Sequence, residues 1–476
     1  MSHWHPADLD IPVRPIVDSR QACPGTVFFA LRGEQTDGHN YVADALARGA
    51  NAAVISHDVD MTVATLDVSH APSAQTPAPP LLLRVPDVLM ALQTAARFWR
   101  QQVNPRVIGI TGSVGKTTTK EVVAHVLESR YRVLSSTSSF NNEIGLPLTL
   151  LQLTDEHEYL VQEMGMYVPG DIKFLADMAQ PHIGIITNVE PVHAERAGNI
   201  ENIALGKREL VEALPADGVA ILNYDDRRVR AMTEHSQARV FFYGFSSKAD
   251  LWVDEVESLG LAGIRLRMHH GDEQLYIKVP LLGRHSAHTV LRATAAGLVA
   301  GLDWQAIVEG LRTPATQLRL VAVPGPNNSL ILDDTYNASP PSVLAALNLM
   351  RDLQADEGQP GGRKIAVLGD MLELGDYAEA GHLKVGCRAA SVVQELVAVG
   401  ALARHIARGA ELCGLTREHI HVVPDSEAAV AILCPLLQPN DVILVKGSRA
   451  MKMETVVTAL NALRDTPCPL PRRDTA

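Results

Sequence analysis

No Cys-x-x-C pair occurs in the 476 residues, and the five cysteines (Cys23, Cys387, Cys413, Cys434 and Cys468) are odd in number and far apart. That spacing suggests neither a disulfide framework nor a zinc site. No apolar run approaches the roughly 20 residues needed to span a bilayer. The first residues show no basic segment leading into an apolar one, so the expected setting is the reducing cytoplasm, without membrane insertion. Cations are in deficit: 42 Lys and Arg against 54 Asp and Glu give 42 − 54 = −12. This argues against a nucleic-acid surface while leaving room for a local basic pocket. Internal repeats and low-complexity tracts are also missing. With 46% hydrophobic and 20% charged residues, the composition is that of a globular protein. The length exceeds what one core can fill and predicts about three domains.

The most informative stretch is Val107-Ile-Gly-Ile-Thr-Gly-Ser-Val-Gly-Lys-Thr-Thr-Thr-Lys120. It reads as an apolar strand breaking into a glycine-spaced loop and then a helix. Gly112 and Gly115 let the backbone of Thr111, Ser113 and Val114 curl so that N–H groups point at anionic oxygens. Lys116 supplies a point charge, and the Thr117 hydroxyl suits Mg²⁺, with Thr118 following in the first helical turn. The first glycine of the general G-x-x-x-x-G-K-T pattern falls on Ile110, so the signal is the narrower T-G-x-x-G-K-T.

Three regions follow from the patterning. Residues 1–104 read as a small α/β unit, with strands at Thr26–Leu31 and Ala52–Ser56, helices over Val42–Arg48 and Val88–Gln101, and a loop holding four prolines between Pro72 and Pro80. In residues 105–317, Val107–Ile110, Tyr159–Gln162, Ile183–Thr187 and Val219–Asn223 suit buried parallel strands alternating with helices. In residues 318–476 the pattern restarts at Leu330–Leu332, Lys364–Leu368, Leu396–Val399 and Val442–Val445, a second doubly wound sheet. The tail from Asp465 reads as frayed.

Polar residues cluster just after these strands: Glu163, Asn188 to His193, Asp333-Asp334, Gly369-Asp370 and Lys446-Gly-Ser-Arg449. Open α/β sheets bind ligands at the carboxyl ends of their strands. Glu163 suits Mg²⁺, or a helix cap. His193 alone is as well read as structural, and Lys207, in Ala204-Leu-Gly-Lys-Arg-Glu-Leu210, as a solvated lysine. Asn141-Asn142 offers amides to a nucleotide or simply makes a turn. Asp334 and Asn337 suit ribose or metal-water contacts, or capping. Lys446, Ser448 and Arg449 read as an anion clamp.

Taken together, these residues resemble the Mur ligase family of ATP-dependent amide-forming enzymes, within it the branch that adds D-alanyl-D-alanine, over nearly the whole chain. Asp18-Ser-Arg20, Pro24–Gly33 and Thr36-Asp-Gly-His39 resemble its UDP-sugar-binding first domain. The phosphate loop, Asn141–Thr149 and Glu163-Met-Gly165 resemble its central ATPase domain. Asp333–Ala338, Leu368-Gly-Asp-Met-Leu-Glu-Leu-Gly375 and Val445–Arg449 are similar to its last domain, and the Leu368–Gly375 stretch discriminates best. The Asp-Asn-Pro-Arg motif of the diaminopimelate-adding branch is absent.

The resemblance implies a three-domain α/β fold: a small UDP-substrate domain, a central P-loop ATPase-type parallel sheet, and a Rossmann-like C-terminal domain binding the incoming dipeptide. It implies that Lys116, Glu163, His193, Lys207 and Arg319 are catalytic, and that Lys207 is a carbamate. Thr117, Glu163, His193 and Lys207 would hold two Mg²⁺ ions. Thr111–Thr118, Asn141, Asn142, Asp334 and Asn337 would bind ATP; Ser19, Arg20, Thr36, Asp37, Gly38 and His39 the UDP substrate; and Lys446, Ser448 and Arg449 the dipeptide. The implied reaction phosphorylates the carboxylate of UDP-N-acetylmuramoyl-tripeptide and passes the acyl group to D-alanyl-D-alanine. It yields the peptidoglycan pentapeptide precursor, ADP and phosphate, in a cytoplasmic monomer that closes on its ligands. Another Mur-type amino-acid ligase and a catalytically silent nucleotide-binding relative are the alternatives. The chain departs from the family at Gly283-Arg-His-Ser-Ala-His-Thr289, where Ser286 and Thr289 replace asparagines of the nucleotide site, and at Leu318, which replaces a glycine.

Overall fold

Short apolar runs separated by helices build three sheets, of five, nine and six strands. The computed structural model describes residues 14–33, 36–68, 78–137, 140–192, 194–312, 320–353 and 362–463. His193, Arg319, most of the proline-rich loop and the tail from Asp465 lie outside the described residues. Packing groups the chain into two compact units: Met1–Val107 with Arg132–Met164 and Phe174–Pro181, and Ile108–Tyr131 with Gly165–Lys173 and His182–Ala476.

The first sheet holds β1 (Arg14–Ile16), β2 (Thr26–Phe29), β3 (Ala52–Ile55), β4 (Ala64–Asp67) and β5 (Leu81–Arg84), in the order β1-β2-β3-β5-β4. All its neighbours are parallel, so its central strands must be apolar on both faces. One face packs Phe28, Ala53, Ile55 and Leu82 against Val42 and Ala45 of the helix Val42–Ala47. The other packs Phe29 and Val54 against Val88 and Leu92 of the helix Val88–Gln102. That helix starts at Asp87, whose carboxylate accepts from Met90 N.

The second sheet holds β6 (Arg106–Thr111), β7 (Val133–Ser135), β8 (Tyr159–Glu163), β9 (Ile183–Ile186), β10 (Val219–Asn223), β11 (Arg239–Gly244), β12 (Leu251–Ser258), β13 (Ile264–His270) and β14 (Glu273–Val279). Its order is β14-β13-β12-β11-β10-β9-β6-β8-β7. Strands β6, β9, β10, β11 and β12 pair in parallel, and β12–β13–β14 form an antiparallel ribbon. The sequence reading omits this ribbon. Its signal is the two-residue alternation of β13, which buries Ile264, Leu266 and Met268 while Arg265 stays exposed.

The third sheet holds β15 (Val321–Pro324), β16 (Leu330–Asp333), β17 (Lys364–Gly369), β18 (Glu395–Val399), β19 (Ile420–Val423) and β20 (Val442–Lys446), ordered β15-β16-β20-β17-β18-β19. Only β15 runs antiparallel to its neighbour. The chain leaves β17 for β18 and β19 on one side and returns on the other as β20. The topological switch point therefore lies between β17 and β20, where Gly369-Asp370 and Lys446-Gly447-Ser448 end their strands.

The expectation of no disulfide is corrected. Cys387 and Cys413 are bonded, with Cα atoms 5.0 Å apart and a sequence separation of 26. The helices Ala378–Ala390 and Ala403–Leu412 pack closely and bring both exposed cysteines together, a proximity that spacing along the chain does not report. No described helix is long and apolar enough to cross a membrane.

Candidate functional site

The phosphate loop joins β6 to the helix Lys116–Glu128. Gly112 (φ +147°) lies so close to Thr187 that a Cβ would collide with its side chain, and Gly115 (φ +85°) is the left-handed N-cap of the helix. The segment after β9 holds the loop in place. Thr187 Oγ1 donates to Val114 O at 2.7 Å, Asn188 Oδ1 accepts from Val114 N at 2.9 Å, and Ser113 Oγ donates to Glu190 O at 2.8 Å. Lys116 Nζ donates to Gly112 O at 2.8 Å and Ser113 O at 3.3 Å, folding back over the loop. The Asn188-to-Glu190 cluster thus shapes the loop.

Lys207 lies within the helix Ile200–Glu212 and is buried, 4% exposed, so the solvated-lysine alternative does not hold. Burial first, and then the charge of Lys116, pushes its ammonium well below the ordinary 10.5. No carboxylate pairs with it among the described residues. In the other unit Glu163 ends β8 almost fully buried, accepting from Asn141 Nδ2 at 2.8 Å. Asn142 instead turns back on its own chain, its Oδ1 accepting from Gly145 N at 2.9 Å where the helix Gly145–Leu150 begins.

At the switch point of the third sheet, Lys446 is 2% exposed. Its Nζ meets Asp334 Oδ2 at 2.6 Å and donates to Asn337 O at 2.8 Å. This lysine ties the Asp334–Asn337 segment to β20. Ser448 Oγ accepts from Leu372 N at 2.8 Å and Ser448 N donates to Asp370 O at 3.0 Å, fastening the Leu368–Gly375 stretch across the switch. Arg449, exposed, faces Glu454 at 3.3 Å. It begins a 3₁₀ turn, Arg449–Met451, so these cations do not sit at the start of an α-helix. Glu195 N donates to Glu373 O at 3.2 Å, joining this stretch to the chain that follows β9. Nearby a cleft of about 670 Å³ is lined by Glu190, Arg284, His285, Pro340, Tyr377 and Lys384 among others. His285 is exposed on the cleft, with protein atoms packed about the rest of its ring; that desolvation, then the cations Lys446, His288 and Arg292, push its pKa down to about 4. The Ser286 and Thr289 hydroxyls are engaged internally: Ser286 Oγ donates to Leu282 O at 2.7 Å, and Thr289 Oγ1 accepts from Arg292 Nη2 at 2.9 Å.

The first sheet gathers its expected substrate residues at the carboxyl ends of β1 and β2. Ser19 Oγ donates to Asp44 Oδ2 at 2.8 Å, and Arg20 forks onto Asp18. Asp37 accepts from His39 N, which, with the His39 ring, holds its carboxyl down at about 2. Ser56 N donates to His39 Nε2 at 2.9 Å, so the His39 proton is on Nδ1, toward Asp37 at 2.6 Å. Asp37, His39 and His57 lie close enough to share a metal, yet both nitrogens of His39 are already engaged. Gly38 approaches the backbone of Leu31 too closely for a side chain, and Thr36 Oγ1 donates to Tyr41 Oη at 3.2 Å.

Sequence reasoning missed Tyr243 and Arg292, both buried next to the loop. The available signal for Arg292 was a lone charge inside the otherwise uncharged run Val290–Ala296.

Comparison with known proteins agrees with this geometry. Residues 16–100 match the Mur ligase family catalytic domain, 110–297 the Mur ligase middle domain, and 318–449 the Mur ligase glutamate ligase domain. A UDP-N-acetylmuramoyl-tripeptide–D-alanyl-D-alanine ligase of Synechocystis sp. is 35% identical over 459 residues, 96% of this chain and 94% of that protein. The crystal structure of MurF from Acinetobacter baumannii superposes with TM-score 0.81 at 29% identity, covering 94% of this chain and 93% of that one. MurF ligase from Thermotoga maritima in complex with ADP gives TM-score 0.77 at 25% identity, covering 95% and 97%. With likeness of this extent, at up to 35% identity across almost its full length, the chain belongs to the Mur ligase family.

Proposed function

We propose that this chain joins D-alanyl-D-alanine to UDP-N-acetylmuramoyl-tripeptide at the expense of ATP, making the pentapeptide precursor of the cell wall. The observation that carries this reading is the end-to-end similarity to ligases of that one named reaction. Residues 1–104 take the UDP end, 105–317 the ATP, and 318–476 the dipeptide.

The loop N–H groups and Lys116 hold the ATP phosphates while an oxygen of the tripeptide carboxylate attacks the γ-phosphorus and ADP leaves. The dipeptide amine then attacks the acyl carbon; phosphate departs with the bonding pair and the amine sheds a proton. Both acceptor and amine must be oriented and shielded, because water would otherwise consume the acyl phosphate. Arg319 acts from the C-terminal region, where Lys446 holds the Asp334–Asn337 segment in place.

Thr117, Glu163, His193 and Lys207 would hold Mg²⁺. The described members fit. Thr117 is a buried hydroxyl at the loop's exit, and Glu163 is a buried carboxylate steadied by Asn141. Lys207 is a buried amine whose charged form is disfavoured, the condition under which a neutral Lys207 Nζ adds to CO₂ and releases a proton, leaving an anionic carbamate. When bound, Mg²⁺ neutralises charge on the phosphates.

The test is ADP release by the purified chain supplied with UDP-tripeptide and either D-alanyl-D-alanine or single amino acids. Release with the dipeptide alone is expected. Release only with a single amino acid would make it a different Mur-type ligase, and none with any substrate a silent relative.

A further inference from the structure

Arg292 lies in the middle of the helix Ala287–Val299, which packs against the helix that carries the phosphate loop. Its side chain is 4% exposed. Nη2 donates to Thr289 Oγ1 at 2.9 Å and Nη1 reaches Tyr243 Oη at 3.5 Å, but the buried Nε–H has no acceptor. No carboxylate pairs with the guanidinium among the described residues. Beside it lies the loop: a Cβ placed on Gly115 would stand 3.3 Å from Arg292 Nη2. Tyr243, in turn, donates to Ile186 O at 3.0 Å and Thr187 O at 3.2 Å, the carbonyls beneath that loop.

A buried cation with neither counter-ion nor a full set of acceptors is costly unless a ligand supplies the missing anion. Both neutral acceptors it already has are weak partners for a guanidinium, and the unused donor is in the fork that binds phosphate oxygens. We propose that Arg292 is a second fixed cation of the nucleotide site, giving its free Nε–H and an Nη–H to a phosphate oxygen of the nucleotide held by the 112–117 loop. This rests on that loop holding the nucleotide. Close packing first, and then the cations Lys446, His288 and Arg292, push His285 down, so Arg292 is one of several cations in this neighbourhood.

Calorimetric titration of the full chain with ADP and MgCl₂ tests this, on the wild type, Arg292→Met and Arg292→Lys, with nucleotide-free unfolding midpoints measured alongside. Arg292→Met is expected to weaken ADP binding about ten-fold or more. Arg292→Lys, which keeps the charge but loses the fork, is expected to fall between it and the wild type, with both midpoints near wild type. Unchanged ADP affinity in Arg292→Met overturns the proposal. If Arg292→Met does not fold, Arg292→Lys decides: weaker ADP binding supports it, and wild-type binding overturns it. Failure of both to fold assigns Arg292 to packing and also overturns it. Lys116→Ala serves as the control; undiminished ADP binding there would sink the reading of the loop itself, whatever Arg292 does.

Discussion

Lys207 and Lys446 are both almost fully buried lysines close to strand-end clusters, 4% and 2% exposed. They differ in what surrounds the ammonium. Lys446 has a carboxylate at 2.6 Å and a carbonyl at 2.8 Å. Lys207 has no carboxylate partner among the described residues, and the charge that acts on it is another cation, Lys116. A paired buried lysine is part of the scaffold, since its charge is already answered. An unpaired one costs stability, which fits the neutral amine required by the carbamate proposed above. The same residue type thus has opposite meaning at the two sites, and burial alone does not separate them.

The largest expected effect follows from breaking the unpaired member. Lys207→Ala should lower turnover by about 10³-fold or more, with partial recovery on adding short carboxylic acids that enter the vacated space. Full activity would reduce Lys207 to the standing of a scaffold residue. Its stability signature has a definite sign. The folded chain binds fewer protons at Lys207 than the unfolded chain between its lowered pKa and 10.5. Stability therefore rises with pH across that window, and Lys207→Met should flatten the rise and be the more stable protein at its lower end. Unfolding midpoints across the window in CO₂-free buffer, without nucleotide, read this directly.

Next in size is the paired member. Lys446→Met strands the Asp334 carboxylate and should cost about 3–5 kcal/mol in denaturant unfolding, while Lys446→Met with Asp334→Leu should recover part of it. Loss of activity in Lys446→Met without loss of stability would erase the contrast and make Lys446 a substrate cation.

How much of this contrast the sequence carried follows from the range of each interaction. The strand–loop–helix around Lys116 was legible because every feature lies within fifteen residues and the glycines have one geometric use. Three α/β sheets were legible because parallel strands are continuous apolar runs. The ribbon β12–β14 obeys a different period and was passed over. From the residues alone Lys207 read as solvated and Lys446 as part of an anion clamp, because the groups that set their surroundings lie 91 and 112 residues away, at Lys116 and Asp334. Arg292 was hidden for the same reason: its meaning depends on Gly115 and Tyr243, which only the packing of the helix Ala287–Val299 brings near. The Cys387–Cys413 pairing depends likewise on two helices meeting.

A smaller effect sharpens the comparison from the side of Lys446. After the desolvation of its ring, His285 feels Lys446 ahead of the other cations. Because His285 stays neutral in the folded chain down to about 4 against an ordinary 6.5, its contribution to stability is complete above 6.5 and is lost as pH falls through 4. His285→Gln should show a shallower acid limb over that range in thermal unfolding. An unchanged limb would mean that the ring is better solvated from the cleft than its crowded surroundings imply.

The smallest stability effect belongs to Arg449, the exposed neighbour of the paired lysine. Its contact with Glu454 is a surface ion pair at 3.3 Å, worth about 0–1 kcal/mol. Arg449→Ala should therefore leave the unfolding midpoint almost unchanged. If the arginine grips the dipeptide's carboxylate, the same variant should raise KM for D-alanyl-D-alanine several-fold while leaving KM for ATP alone. That split would divide the clamp in two, Lys446 as the strut that shapes the segment and Arg449 as the hand that meets substrate. A KM unchanged for both substrates would leave Arg449 as surface charge and turn attention to Arg284 and Lys384 in the neighbouring cleft, whose charges line its wall.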